Sequence, residues 1–222
     1  MKTSRRFFFV ALAFICMAAQ ASAQTKVLFL GNSITKHGPK ADIDWKGNWG
    51  MAASAEANDY VHLVTKGLTD KAGAAPEVMV KNIADFERAY AGYDVPAKLK
   101  EAIDFHADLI ILAIGENVPA LKTAEDKAKL QASVTTLLNA LKAGKKPIIL
   151  VRSCFWANAA KDEALSLACS AVEGVYVDIS TLGKDESNYA RSERPYKHAG
   201  VANHPGDKGM AAIAAALLKA FP

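Results

Sequence analysis

Cysteine is scarce in this chain: Cys16, Cys154 and Cys169 are its whole complement. An oxidising compartment would permit Cys154 and Cys169 to pair, but two cysteines do not build a disulfide scaffold. Their spacing fits no zinc pattern either. The five histidines include no HExxH pair and no paired carboxylates beside them, so no metal site is expected. The early glycines miss the phosphate-loop spacing, which disfavours nucleotide binding, and no cofactor is implied. There is no internal repeat, low-complexity tract or linker. Excess charge of one sign is also lacking. The formal charge is +4, but Lys2, Arg5 and Arg6 supply three of the 27 basic residues, which leaves +1 against 23 acidic ones beyond them. Such a near-neutral remainder has no global field for nucleic acid or an anionic membrane.

Long apolar runs are missing except at the start. After the basic end, residues 7–19 are almost unbroken in apolar character, and Ala21-Ser22-Ala23 supplies small residues. That is the layout of a secretory signal peptide cleaved after Ala23. The run is short for the roughly 20 residues of a membrane span, and bulky Phe14 and Ile15 disfavour lipidation at Cys16. The expectation is an exported protein, periplasmic or secreted, without stable membrane insertion after cleavage. Residues 24–222 then form one domain of 199 residues (222 less the first 23), ample for a sizeable core.

Within it, short apolar runs at 26–30, 77–80, 109–114, 147–151 and 174–179 read as strands. Several are apolar at nearly every position, as in a parallel sheet covered on both faces. Helical periodicity separates them. Ala57, Val61, Val64 and Leu68 share one face, as do Leu130, Val134, Leu137, Leu138 and Leu141 after a capping box of Thr123 and Asp126. Met210, Ile213, Leu217 and Leu218 mark a last helix, with Asp207 placed to cap it. This alternation predicts right-handed crossovers and a three-layer α/β/α sandwich on a five-stranded parallel, flavodoxin-like sheet. Chemistry is then expected just after the strands, at their carboxyl ends.

Three polar groups stand there. Gly31-Asn32-Ser33 follows the first strand, Gly115-Glu116-Asn117 the third, and Asn203-His204-Pro205 precedes the last helix. Serine, amide and imidazole on one rim would supply nucleophile, oxyanion donor and base. Alone, Ser33 reads as a helix cap and Asn117 as a turn residue before Pro119.

Together they resemble a known family. LFLGNSIT is similar to the first sequence block of the SGNH (GDSL-like) hydrolases, GEN to their GxN block, and HPGDKGMAAIA to their last, in the same order. The resemblance covers nearly all of residues 24–222. It implies that Ser33 attacks a carbonyl, that Asn117 and the Ser33 main-chain N–H bind the oxyanion, and that His204 is the general base. A further main-chain donor normally follows the second strand, where Ala84 aligns best. The family usually places aspartate three residues before the histidine, and here that position is Val201. The sequence therefore implies a Ser–His dyad, with the imidazole oriented by a main-chain carbonyl or water. If the loop kept family geometry, Val201→Asp would restore the missing partner.

Asn32, Trp45 and Trp156 are the candidate substrate contacts, the indoles because aromatic faces stack on sugar rings, although packing is an equal alternative. Trp49 reads as packing, and His37 and His198 as loop histidines. Export and rim tryptophans point to deacetylation of glycans or sugars. A small-acyl or lipid acylhydrolase, a thioesterase, or a carbohydrate-binding protein on a degenerate scaffold are the alternatives. The partner is a small-molecule or glycan ester; oligomeric state is not legible.

Overall fold

The computed structural model describes residues 25–222, so the expected leader lies outside the described residues. Five strands form one sheet: β1 (Lys26–Gly31), β2 (Glu77–Asn82), β3 (Leu109–Ala113), β4 (Ile148–Arg152) and β5 (Val175–Val177). Every pairing is parallel, in the order β2-β1-β3-β4-β5. The central pair is buried at nearly every position, whereas edge strand β2 is only partly covered. At the other edge β5 is shorter than its apolar run, because Asp178 turns the chain by accepting from the Ser180 N–H at 2.8 Å.

The helices are α1 (Tyr60–Ala72), α2 (Ala84–Ala89), α3 (Val95–Lys98), α4 (Lys100–Asp104), α5 (Ala124–Lys142), α6 (Ala159–Ala171), α7 (Ala199–Ala202) and α8 (Asp207–Ala220). Alternation along β1 assigns them to two layers. Val27 and Phe29 pack with Tyr60, Val61 and Val64 of α1 and with Met210, Ile213 and Leu217 of α8. Leu28 and Leu30 face the other way, onto Leu130, Val134 and Leu137 of α5 and Leu165 of α6. The result is the three-layer α/β/α sandwich that the alternating pattern predicts. The Thr123–Asp126 capping box opens α5. Both cysteines are buried free thiols, and burial pushes Cys169 up to about 11. They are therefore poor nucleophiles.

Strand order reverses between β1 and β3, so their adjacent carboxyl ends open a crevice at the switch point. Glycine is required at both mouths of that crevice. A Cβ on Gly31 would run into Thr35 and the Ala113 carbonyl oxygen. Gly115 sits at φ +126 with Cys154 Sγ against its open side, a conformation that disfavours any residue with a Cβ.

Candidate active site

Ser33 stands two residues past the end of β1, on a turn built by its neighbour. The Asn32 carbonyl accepts from the Thr35 N–H at 3.0 Å and the Lys36 N–H at 2.9 Å. Its side-chain Oδ1 accepts from the Ile34 N–H at 3.1 Å. This Asx-type turn lifts Ser33 out of the core. Ser33 Oγ lies 2.7 Å from His204 Nε2. The Ser33 main-chain N–H has no hydrogen-bond partner among the described residues.

His204 lies between α7 and α8, and its Nδ1 is 2.7 Å from the Gly200 carbonyl oxygen. That carbonyl belongs to the end of α7, where the His204 N–H bonds to Val201 O at 3.0 Å instead. Such terminal helix carbonyls need an outside donor, and a carbonyl can only accept. Nδ1 therefore carries the proton, and Nε2 presents its lone pair to the Ser33 hydroxyl. Burial pulls the His204 pKa below its ordinary 6.5, partly offset by the Gly200 carbonyl and the Glu116 charge, while His37 adds to the lowering. Trp156 stands perpendicular to the imidazole, 5.4 Å between centroids.

Asn117 completes the cleft, a hollow of about 560 Å³ that also includes Tyr189, Arg191 and Asn203. Arg191 lies 3.8 Å above the Tyr189 ring, and its Nη1 donates to Asn203 Oδ1 at 2.6 Å. A hollow of about 620 Å³ opens at the opposite edge of the sheet, lined by Val27, Leu68, Leu109 and Phe221 together with Thr25 and Lys71, and it includes neither Ser33 nor a histidine.

Beneath the cleft lies a charged cluster that the sequence reading did not find. Glu87 and Arg152 are fully buried, and the Glu116 side chain is 2% exposed. Arg152 Nη1 donates to Glu116 Oε1 at 2.6 Å, and the Phe155 N–H donates to the same oxygen at 2.9 Å. Asn32 Nδ2 bridges Glu116 Oε2 at 2.6 Å and Glu87 Oε1 at 3.1 Å. Burial raises the Glu116 carboxyl, but the Arg152 guanidinium and the hydrogen bonds from Arg152, Phe155 and Asn32 outweigh it and leave the pKa below the ordinary value. For Glu87, burial and the Glu116 charge win, and the pKa is raised. Only Arg152, a charge ending an apolar run, was a usable signal in the sequence.

Three expected positions need correction. Asn32 is wholly buried with its amide spent on two carboxylates, so it shapes the turn and cannot touch substrate. Trp45 is 7% exposed, packs with Met51, Ala52, Ala190 and Val201, and donates its indole N–H to the His37 carbonyl at 2.9 Å. It is core. Ala84 starts α2 and donates its N–H to Asn82 Oδ1 at 2.9 Å, outside the cleft that holds Ser33. That amide is already taken. Trp156, by contrast, does line the cleft. His37 lies in the adjoining loop, where its Nδ1 meets the Gly38 carbonyl at 2.6 Å, and His198 caps α7.

Val201 also answers differently from the family expectation. Its side chain is 2% exposed against Trp45 and Met51, not aimed at the imidazole. Val201→Asp is therefore expected to destabilise the protein by roughly 3–5 kcal/mol, the cost of an uncompensated buried charge. Thermal unfolding measures this. An unchanged Tm with increased kcat would mean that the new carboxylate reaches His204 after all.

No protein-family model and no curated protein matches this chain. Solved structures do. A family two carbohydrate esterase from Cellvibrio japonicus superposes with a TM-score of 0.51 at 21% identity, over 88% of this chain and 60% of that one. An acetyl xylan esterase from the rumen bacterium Butyrivibrio proteoclasticus gives 0.52 at 14% identity, over 88% and 62%. A protein assigned as a GDSL-like lipase from Parabacteroides merdae gives 0.53 at 17%, over 89% and 95%. The chain thus spans less than two thirds of the length of the two carbohydrate esterases. The five-stranded parallel sheet with this strand order is the SGNH hydrolase fold.

Proposed function

We propose that this chain is an exported serine esterase that hydrolyses carboxylic esters, with O-acetyl groups on glycans or sugars as its substrates. One observation carries the reading: Ser33 Oγ is 2.7 Å from His204 Nε2, while His204 Nδ1 is held 2.7 Å from the Gly200 carbonyl. An imidazole fixed in that tautomer is a base aimed at a hydroxyl. Ser33 Oγ attacks the ester carbon as its proton passes to Nε2. The carbonyl oxygen becomes an oxyanion facing the Ser33 N–H and the Asn117 amide. Collapse expels the alcohol, which takes the proton from Nε2 and leaves an acyl group on Ser33. Water then attacks the acyl carbon and gives its proton to His204 Nε2; the bond to Ser33 Oγ breaks, Oγ takes that proton back from Nε2, and the carboxylic acid leaves.

The sugar assignment rests on the cleft lining. Asn203, Arg191 and Tyr189 with Trp156 offer hydrogen bonds and an aromatic face, which suit a polyol better than a long acyl chain. Two of the structural neighbours are described as a carbohydrate esterase and an acetyl xylan esterase. Export rests on the leader of residues 1–23; the intact mass of exported protein should correspond to a start at Gln24. The deciding assay is acetate release from acetylated xylan and acetylated monosaccharides, set beside p-nitrophenyl esters of rising chain length. Preference for long acyl chains with no acetate released from any sugar would replace this reading with a lipid acylhydrolase.

The pH profile follows from the imidazole. His204 must be neutral to accept the Ser33 proton, so activity is lost as pH falls through its pKa. Because burial lowers that pKa, the acid limb of kcat/KM is expected to lie below 6.5, the ordinary imidazole value. A limb above pH 7 in the free enzyme would contradict the assignment.

A further inference from the structure

Resting on the esterase reading above, we infer that Glu87 is a positioning residue that fixes the Asn117 carboxamide with its nitrogen end toward the oxyanion. The two ends of a carboxamide are nearly equal in size, and a half-turn exchanges them. Only the nitrogen end helps the reaction; the oxygen end would set a lone pair against the developing negative charge. Size alone therefore does not choose between them. A carboxylate does choose, because it only accepts.

Glu87 Oε2 lies 2.7 Å from Asn117 Nδ2. With the amide reversed, two acceptors would meet there, so the observed orientation is enforced. One hydrogen of Nδ2 is spent on Glu87 and the second remains for the cleft. Glu87 has no freedom of its own to turn. Its Oε1 accepts from Gly115 N–H at 2.6 Å, Asn117 N–H at 3.1 Å and Asn32 Nδ2 at 3.1 Å. Asn32 is pinned in turn by Glu116, and Glu116 by Arg152. The same carboxylate thus anchors both the strand-end loop and the amide it carries. Burying two carboxylates around one amide nitrogen is costly, and a well-packed apolar residue is often neutral or stabilising by comparison. Packing alone therefore gives no account of Glu87.

Glu87→Gln isolates the effect. Its oxygen must stay on the Oε1 side, where three N–H groups point, so its NH₂ falls on the Oε2 side. There it meets the Asn117 nitrogen, and the clash is relieved when Asn117 turns its oxygen inward. We expect kcat to fall by about 10²-fold or more, toward the 10²–10³ of losing one oxyanion donor, with KM nearly unchanged. In an Asn117→Ala background the same substitution should change kcat by less than about 2-fold, since its target is gone. A merely structural role would lower Tm and cost the same factor in both backgrounds. Wild-type kcat in folded Glu87→Gln, or an equal factor in both backgrounds, overturns the inference. If Glu87→Gln does not fold, ¹⁵N NMR of the wild-type protein decides. The Asn117 side-chain NH₂ should show one exchange-protected proton, and a rapidly exchanging, averaged pair overturns the inference. Wild-type turnover in Ser33→Ala would instead defeat the esterase reading, and the NMR result would still settle the amide.

Discussion

Ser33→Ala is expected to lower ester turnover by on the order of 10⁶, the scale seen when the nucleophile of a serine hydrolase is removed, while the protein stays folded. The two halves of that expectation come from different features. Oγ bonds to His204 alone among the described residues, so every route to an acyl-enzyme passes through it. The turn itself is held by Asn32 and by the Met51 N–H on the Ser33 carbonyl at 2.8 Å, neither of which needs the hydroxyl. One half-exposed hydrogen bond is lost, worth about 1 kcal/mol. Stopped-flow mixing with p-nitrophenyl acetate should show a burst in the wild type and none in the variant, with Tm shifted by only a few degrees. Turnover at the wild-type rate in folded Ser33→Ala would remove the acyl-enzyme route altogether.

Much of this site was legible because parallel sheets make strand ends predictable. The runs at 26–30 and 109–114 are apolar at every position but Lys26, which is what two covered faces require, and they became the buried strands β1 and β3. Polar residues immediately after them had to emerge at one edge. Ser33, Asn117 and His204 do line a common cleft. The edge strands were legible in position but less so in length: β2 continues past its apolar run to Asn82, and β5 stops at Val177, where the Asp178 turn intervenes.

What the sequence hid was direction. Asn32 and Trp45 stand at positions from which a side chain could face substrate, yet both face inward. Asn32 does so because two buried carboxylates compete for its amide. Trp45 does so because Val201, Met51 and Ala52 give its ring a dry surface, and the His37 carbonyl satisfies its N–H. Those two facts also connect. Val201, at the position where a catalytic aspartate was expected, serves the packing of a tryptophan that was expected in the cleft. Glu87 escaped notice because a charged residue in a short helix ordinarily means solvent, and its partners lie far along the chain. The Gly200 carbonyl, a main-chain group, could not be read from residue type at all.

That carbonyl leads to the other large effect. His204→Ala is expected to reduce turnover about as far as Ser33→Ala, and the double variant no further, because nucleophile and base act as one unit. The imidazole is held by a main-chain dipole where many serine hydrolases use a carboxylate. The Gly200 oxygen fixes the tautomer as well as a carboxylate would, but in the proposed mechanism it would offer only a partial charge to an imidazolium formed in the transition state. The orienting contribution is kept and part of the electrostatic contribution is forgone. Asp207, the nearest carboxylate in sequence beyond His204, is not a hidden third member. It accepts from the Ser54 N–H at 2.7 Å and Ser54 Oγ at 2.5 Å, tying that loop to α8. Nor does it cap the helix as its position suggested: Glu193 does, accepting from the Asp207 N–H and the Lys208 N–H at 2.8 Å each. Asp207→Asn should therefore lower Tm by a few degrees and leave kcat within about 3-fold, a loss of surface hydrogen bonds worth about 1–2 kcal/mol. Side-by-side kinetics of His204→Ala and Asp207→Asn in folded protein distinguish the arrangements. Equal inactivity in both would make Asp207 the orienting acid and end the dyad.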